Sequence, residues 1–437
     1  MYCAYITTIK DIRKHSNADR LQCCTIFGNN VIVDLSYQNG QRVVYFPVDG
    51  QLSKEFAEDN KLVRVKDENG NNSGGYLDPD KRNIKALNLR GEKSDGLVLP
   101  IKTLSKYTDI SKLNDGDKIT VLNGHEICRK YIPRGNHRKS YSSIKIAKNA
   151  KELKKEVSYP FFEEHVDTEQ LAYNEKAFKS NDTIYITRKL HGSSFRVGNC
   201  LEFTTTKRNP ILKKLFHLPD KVTSKFKIIS GSRRVVLRDY DGGYYGSNAF
   251  RKKYNDFFID KLPKGMTVYG EIVGWIDENT PIMPKCKNSK VKDKEFSKMY
   301  GEETVFTYGC PKGENHAYIY RITMTNDDGV VVELPTEETQ KWCERLGCDF
   351  VPLLEKFLYT SWEDLNKRCE KYLDLPEPLS NGTHVTEGVV VRIDNRSRFT
   401  AYKTKSFTFK LLEGIIKENA DAPDIEEAQE IIDDTKE

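Results

Sequence analysis

The chain has 437 residues, 38% hydrophobic and 31% charged, a globular balance long enough for two domains. No apolar run approaches a membrane span, so neither a helical membrane protein nor a membrane partner is expected, and Met1 to Asp11 lacks the basic-then-apolar pattern of a secretory signal. The net charge of +6 is uneven: residues 417–437 hold nine Asp/Glu against two Lys, leaving 68 basic and 55 acidic side chains, or +13, in a body suited to a polyanionic partner.

The ten Cys are scattered without a Cys-x-x-Cys, the closest being Cys23-Cys24 and Cys343/Cys348. That argues against a zinc site or disulfide framework and for a reducing, intracellular setting. The cytoplasm is the first expectation, with nuclear and organellar compartments left open. His125 and Cys128 have no second ligand pair nearby and are read as structural.

Residues 1–35 alternate in polarity (Tyr2, Ala4, Ile6; Leu21, Cys23, Thr25, Phe27; Val31, Val33, Leu35), with turn signals at Asn17-Ala18-Asp19 and Gly28-Asn29-Asn30. Short apolar runs follow at Val43–Val48, Ile84–Leu89, Leu97–Leu99 and Ile119–Val121, and Lys66 to Asp80 reads as a loop. Many short strands over 1–125 predict a small β-barrel, for which a five-strand OB barrel fits the length. The resemblance is to OB modules that accompany tRNA synthetases and some RNA ligases. It rests on Asn17-Ala18-Asp19-Arg20-Leu21 and on Arg90-Gly91-Glu92-Lys93-Ser94-Asp95-Gly96-Leu97.

Residues 126–174 read as a linker. Within it, 129–155 carries ten Lys/Arg and only Glu152 as an acid, with Tyr131, Tyr141 and Ile144 interleaved, a composition able to track a phosphate backbone. A short helix is expected at 147–156. From 175 to 437 an α+β pattern follows, with helices near 250–261, 336–346 and 361–374, the last capped by Ser361 with Glu363 and Asp364 in its first turn. The acidic tail has Ile425, Ala428, Ile431 and Ile432 at helical spacing.

The chemistry gathers around Ile184-Tyr185-Ile186-Thr187-Arg188-Lys189-Leu190-His191-Gly192-Ser193-Ser194-Phe195-Arg196-Val197, a strand, a turn and a second strand. A lysine at the mouth of a strand, then a glycine admitting a ligand to the backbone, suits attack on a phosphate. Four stretches follow in order: Ile228–Leu237, a strand interrupted by Ser232-Arg233; Val268–Trp275, with Glu271 between glycines; the aromatic strand Tyr318-Ile319-Tyr320-Arg321-Ile322; and Glu387–Arg392 with Tyr402-Lys403-Thr404-Lys405. Lys403 and Lys405, on one strand face, could neutralise a triphosphate and favour a neutral Lys189. Glu271 and Glu387 could hold Mg²⁺ or Mn²⁺, and Tyr320 or Tyr318 could stack on a base.

This order resembles the covalent nucleotidyltransferase superfamily of polynucleotide ligases and mRNA capping enzymes, over roughly residues 160–412. His191 and Lys403-Thr404-Lys405-Ser406-Phe407 make the chain similar to ATP-dependent RNA ligases, and its layout to their fifth family. The resemblance implies an α+β fold: an N-terminal OB-type β-barrel followed by an ATP-grasp-like nucleotidyltransferase domain of antiparallel sheets flanked by helices. It implies an enzyme that joins RNA 3′-OH and 5′-phosphate ends through lysyl–AMP and RNA-adenylate intermediates, in RNA repair or nick sealing. ATP and Mg²⁺ or Mn²⁺ would be its cofactors, and RNA, nicked duplex included, its partner.

Residue by residue, Lys189 would be the nucleophile, with Leu190, Gly192, Arg196, Arg233, Glu271, Tyr320, Lys403 and Lys405 around ATP. Arg233, Lys403 and Lys405 would assist catalysis, and Glu271 and Glu387 would bind metal. Phe306 and Tyr308 form a rival aromatic strand. The chain departs from the pattern in three places. His191 stands where DNA ligases and capping enzymes have Asp. His165–Gln170 is weakly basic where some relatives contact the γ-phosphate. About thirty residues follow Lys405, too few for the C-terminal OB domain of DNA ligases and capping enzymes. A capping-type guanylyltransferase and a non-catalytic RNA-binding relic remain the alternatives.

Overall fold

The structure, a computed structural model, describes residues 2–66, 72–132, 155–208, 219–237, 240 and 247–418. These residues form two compact units: 2–132 together with 406–418, and 155–405. Tyr141, Ile144, most of the 129–155 stretch, the middle of 206–227 (a second basic stretch expected to bind RNA, with seven Lys/Arg to one acid), and the acidic tail lie outside the described residues. The helix expected at 147–156 does too, except for its last two residues, which open a strand at Lys155–Ser158.

The first unit is built from short strands. Ala4–Thr8, Arg42–Phe46, Leu97–Pro100 and Lys118–Ile119 form one sheet; Lys10–Lys14, Leu21–Ile26 and Asn29–Asp34 a meander; Gly50–Leu52, Asn83–Ile84 and Cys128–Lys130 a third. Phe27 and Gly28, both at positive φ, make the tight turn of the Leu21–Asp34 hairpin. Arg90 and Gly91 do the same between Leu87–Leu89 and Glu92–Ser94. Ala4, Ile6, Val44, Phe46, Leu52, Phe56, Leu99 and Ile119 share one core.

Three corrections follow. No closed OB barrel forms among the described residues: Asp11 (φ 54°) and Asp49 (φ 68°) turn the chain out of the extended region where barrel strands would have to run on. The Lys66–Asp80 segment is not all loop, because Arg64–Lys66 pairs with Asn72–Gly74. Tyr131 is buried, its N–H donating to the Asp49 carbonyl, so it offers no ring for stacking.

The chain after Lys405, expected to stay with the catalytic domain, returns to the first unit as the helix Phe407–Glu418. Lys410 pairs there with Asp95, and Lys417 Nζ lies 3.0 Å from Asp49 Oδ1. Among the described residues no helix is long and apolar enough to cross a membrane.

The second unit is α+β. Its strands are β1 (Thr183–Lys189), β2 (Ser193–Thr206), β3 (Lys221–Gly231), β4 (Met266–Gly274), β5 (Asn315–Thr325), β6 (Leu353–Leu358), β7 (Gly388–Ile393) and β8 (Ala401–Lys405). Its longer helices are α1 (Ala249–Phe258), α2 (Thr336–Leu346) and α3 (Trp362–Glu370). An eight-stranded sheet runs β3-β2-β4-β5 at its centre, and a five-stranded sheet runs β8-β7-β1-β6. Both are antiparallel apart from two short parallel pairs, Glu169–Gln170 on β8 and Asp349–Phe350 on β5. The α3 cap forms as expected, Ser361 Oγ accepting from Asp364 N–H at 3.1 Å.

The strand period decides what each face does. Ile184 and Ile186 of β1 and Val389, Val391 and Ile393 of β7 pack with Leu365 and Cys369 of α3. Tyr185, Thr187, Lys189, Val390 and Arg392 therefore face the other way, into a cleft whose opposite wall comes from the larger sheet.

Candidate active site

The cleft encloses about 930 Å³ of empty space, part of it open to solvent. Lys189 and Leu190, at the end of β1, line it. So do Lys403 of β8, Ser194 of β2, Glu271 of β4, Tyr320 of β5, and Arg233 from the turn after β3. Strand register places the charged centre. Gly388 of β7 lies between Lys189 on one neighbour and Lys405 on the other. Glu387, just before it, sends Oε1 to Lys189 Nζ at 2.7 Å and to Lys405 Nζ at 3.9 Å.

Glu387 is 1% exposed, and its Oε2 has no hydrogen-bond partner. Burial alone would raise this carboxyl, but Lys189, His191 and Lys405 outweigh it and hold it below the ordinary glutamate value. The sequence suggested two lysines crowding a third. The structure instead rests Lys189 in an ion pair.

The glycines act through packing. A Cβ on Gly192 would stand 2.2 Å from the Ile272 carbonyl oxygen, so the turn after the lysine needs glycine for close approach of β4 rather than of a ligand. Gly388 (φ 151°) would meet the Thr404 carbonyl at 2.1 Å.

Glu271 Oε2 accepts from the Ser194 hydroxyl at 3.2 Å. Arg233 pairs with Asp167 at 2.5 Å, and the His165 N–H donates to the Arg233 carbonyl at 3.2 Å. The weakly basic 165–170 segment thus positions an arginine instead of supplying cations. Tyr320 is a bulge residue: Tyr269 pairs with Arg321 and Gly270 with Ile319, leaving Tyr320 as the extra residue. Its ring lines the cleft and its hydroxyl bonds to His165 Nδ1.

Tyr318 does not line the cleft and sits edge-on to His316 at 4.7 Å. Phe306 and Tyr308 are buried in a loop rather than a strand. Phe306 meets His191 edge-on at 4.9 Å, and the Tyr308 hydroxyl accepts from the His191 backbone N–H at 2.7 Å. Neither lines the cleft.

Arg196 is a correction. It is 1% exposed, donates to the carbonyls of Phe162 and Arg234, and stacks on Phe162 at 4.4 Å. A cation committed to backbone carbonyls behind the cleft holds the Ser232–Val235 turn and does not reach a nucleotide.

Sequence reasoning gave no site role to Phe350, Val351, Phe399 and Arg392 and named His165 only within the weakly basic 165–170 segment; all five line the cleft. Burial first, then Arg196, Arg233 and Arg321, pushes His165 well below the ordinary histidine value. Arg392 Nη2 donates to the Leu334 carbonyl at 2.6 Å and Nε pairs with Asp394 at 2.8 Å, while Nη1 is buried with no hydrogen-bond partner. Arg392 belongs to the stretch already singled out; the alternation of β7 puts it on the cleft side with Val390.

A family model described as RNA ligase matches residues 182–412. Solved structures of a Naegleria gruberi RNA ligase share the fold. One variant with AMP and Mn is 17% identical at a TM-score of 0.55, covering 93% of this chain and 97% of that one. A variant with ATP and Mn is 18% identical at 0.55, covering 93% and 98%, and the ligase with PPi is 18% identical at 0.54, covering 93% and 97%. No curated protein matches the chain.

Proposed function

The chain belongs to the RNA ligase family, and from that premise we propose that it joins RNA 3′-OH and 5′-phosphate ends with ATP, through lysyl–AMP and RNA-adenylate intermediates. The observation that carries this reading is the Lys189 amine, on a cleft-lining residue and held 2.7 Å from the buried Glu387 carboxylate. Glu387 Oε1 is within reach of the proton that Lys189 must lose before it attacks the α-phosphorus. The N–P bond then forms and pyrophosphate leaves. An oxygen of the RNA 5′-phosphate takes the AMP from Lys189, and the RNA 3′-OH attacks that phosphate and expels AMP.

Arg233, Lys403 and Lys405 neutralise the phosphates, and Tyr320 and Phe350 offer rings to the base. The unpartnered Arg392 Nη1 is a donor awaiting an acceptor. Among the described residues no three acidic, His or Cys side chains form a metal cage. The donors fit a hydrated Mg²⁺ or Mn²⁺ carried by the phosphates, with Glu271 and Glu387 Oε2 as the protein's contribution. Such an ion, when bound, offsets charge at the α-phosphate. We assign the first unit a role in positioning RNA, together with the basic 129–155 and 206–227 stretches. Nicked duplex is the first substrate to try.

The test is covalent labelling. Wild-type protein and Lys189→Ala are incubated with α-labelled ATP or GTP and Mg²⁺ or Mn²⁺, then denatured. Label from ATP alone, absent in the variant and after chelation, supports the proposal. Label from GTP would make it a capping-type enzyme, and no label would leave an RNA-binding relic.

A further inference from the structure

Of the ten cysteines, eight are buried, and only Cys310 and Cys348 are half-buried. Cys348 follows α2, which ends at Gly347 with φ 71°. Gly347 N–H donates to the Glu344 carbonyl at 3.2 Å, and Cys348 N–H to the Cys343 carbonyl at 3.0 Å. This pair of bonds is a Schellman motif, which brings the side chains at its two outer positions together. Both outer positions are cysteines.

Cys348 Sγ lies 3.7 Å from the Cys343 carbonyl oxygen, to which its thiol donates. The half-buried Cys348 sulfur is the one a peroxide reaches first, with the buried Cys343 at the other outer position of the motif.

The segment that follows is tied into both walls of the cleft. Asp349–Phe350 pairs with Tyr318–Ile319, Val351 N–H donates to the Ile319 carbonyl at 2.8 Å, and Arg188 N–H donates to the Pro352 carbonyl at 2.9 Å. Phe350 and Val351 themselves line the cleft.

We propose that Cys343 and Cys348 are a peroxide-oxidisable dithiol whose reversible disulfide displaces the Phe350–Val351 wall of the cleft. The Cys348 thiolate attacks one peroxide oxygen, the O–O bond breaks and hydroxide leaves, giving a sulfenic acid. The Cys343 sulfur attacks the Cys348 sulfur, the S–O bond breaks and water leaves. Two thiols lose two electrons and two protons, and hydrogen peroxide becomes two waters. A disulfide in a reducing compartment is of this transient kind.

The full chain is treated with hydrogen peroxide, its remaining thiols are blocked, and its peptides are mapped. The expected result is a Cys343–Cys348 cross-link that appears before any oxidation at Cys310 and disappears with dithiothreitol. Labelling of Lys189 from ATP falls severalfold on oxidation, returns on reduction, and resists peroxide in Cys348→Ser. Oxidation elsewhere first, no cross-link, or equal loss of labelling in wild type and Cys348→Ser overturns the proposal. The labelling arm rests on the ligase reading: fully reduced protein that takes no label refutes that reading, while the peptide map still decides the disulfide.

Discussion

Replacing Glu387 by Gln keeps the shape and removes the charge between Lys189 and Lys405. At 2.7 Å and an effective dielectric constant of about 20, the Lys189–Glu387 attraction is about 6 kcal/mol before desolvation. Lys189 is 21% exposed and water can reach it, whereas Glu387 is almost fully enclosed. Breaking a buried pair from one side costs roughly 3–5 kcal/mol, and the partial exposure places this site at about 3. Trp275, Trp342 and Trp362 are the only tryptophans, and all lie in the 155–405 unit, so their emission reports its unfolding. With a urea dependence of about 3 kcal/mol/M, the Glu387→Gln midpoint falls by about 1 M. Lys189→Met with Glu387→Gln loses less than the sum of the two single variants, by about 2 kcal/mol. A midpoint unchanged by Glu387→Gln, or strict additivity in the double variant, would refute the ion pair as the organiser of the site.

Three further outcomes are expected. Gly192→Ala puts a Cβ against the Ile272 carbonyl, so the unit loses about 1–3 kcal/mol in the same urea assay and Lys189 labelling falls with it; a neutral effect would mean the turn does not need close approach. Tyr320→Phe keeps the ring but frees His165 Nδ1, lowering stability by about 1–2 kcal/mol with the KM for ATP nearly unchanged, whereas Tyr320→Ala raises KM by about tenfold or more; equal KM values would remove Tyr320 from the base site. His384 is fully buried against Phe306 and Tyr308, and burial pushes it down to about 4. The unfolded chain takes up its proton near pH 6.5 and the folded chain only near 4, so stability drops by about 3 kcal/mol as pH falls across that window. His384→Asn flattens that part of the urea-midpoint profile; the same slope in the variant would assign it to another group.

How much of this was legible follows the range of each signal. A local period reports which face a side chain takes, and β1 was readable for that reason, Ile184/Ile186 against Tyr185/Thr187/Lys189, whereas Val389-Val390-Val391 in a row hides the cleft side of β7. The sequence reading left Tyr320 and Tyr318 as alternatives, and the bulge at Tyr320 goes with only that ring lining the cleft. That reading failed at Arg196 because burial, not residue type, separates a ligand contact from a structural cation. His165, Phe350 and Phe399 carry no local mark. They reach the cleft through pairings with segments far away in sequence, such as Val351 with Ile319. Barrel closure in the first unit is likewise a property of ladders between strands, and residues at positive φ interrupt them without disturbing the alternation on either side.

Glu387 shows why residue type alone left the centre ambiguous. A carboxylate before a glycine can be a metal ligand, a proton acceptor or an ion-pair partner, and only register decides among them. Because Gly388 lies between Lys189 and Lys405 across three strands, both ammonium groups must approach whatever precedes that glycine. In the resting protein Lys189 takes the closer share, and Oε2 is left buried without a partner. In the proposed reaction Lys189 loses its ammonium charge on taking the phosphoryl group, and once Glu387 has passed on the proton it accepted, Lys405, 3.9 Å from the same oxygen, is the remaining cation of the pair. The second lysine therefore lets one buried carboxylate stay compensated before and after the first transfer, and a single basic partner at this position would leave it exposed to the full cost of a buried charge midway through the reaction.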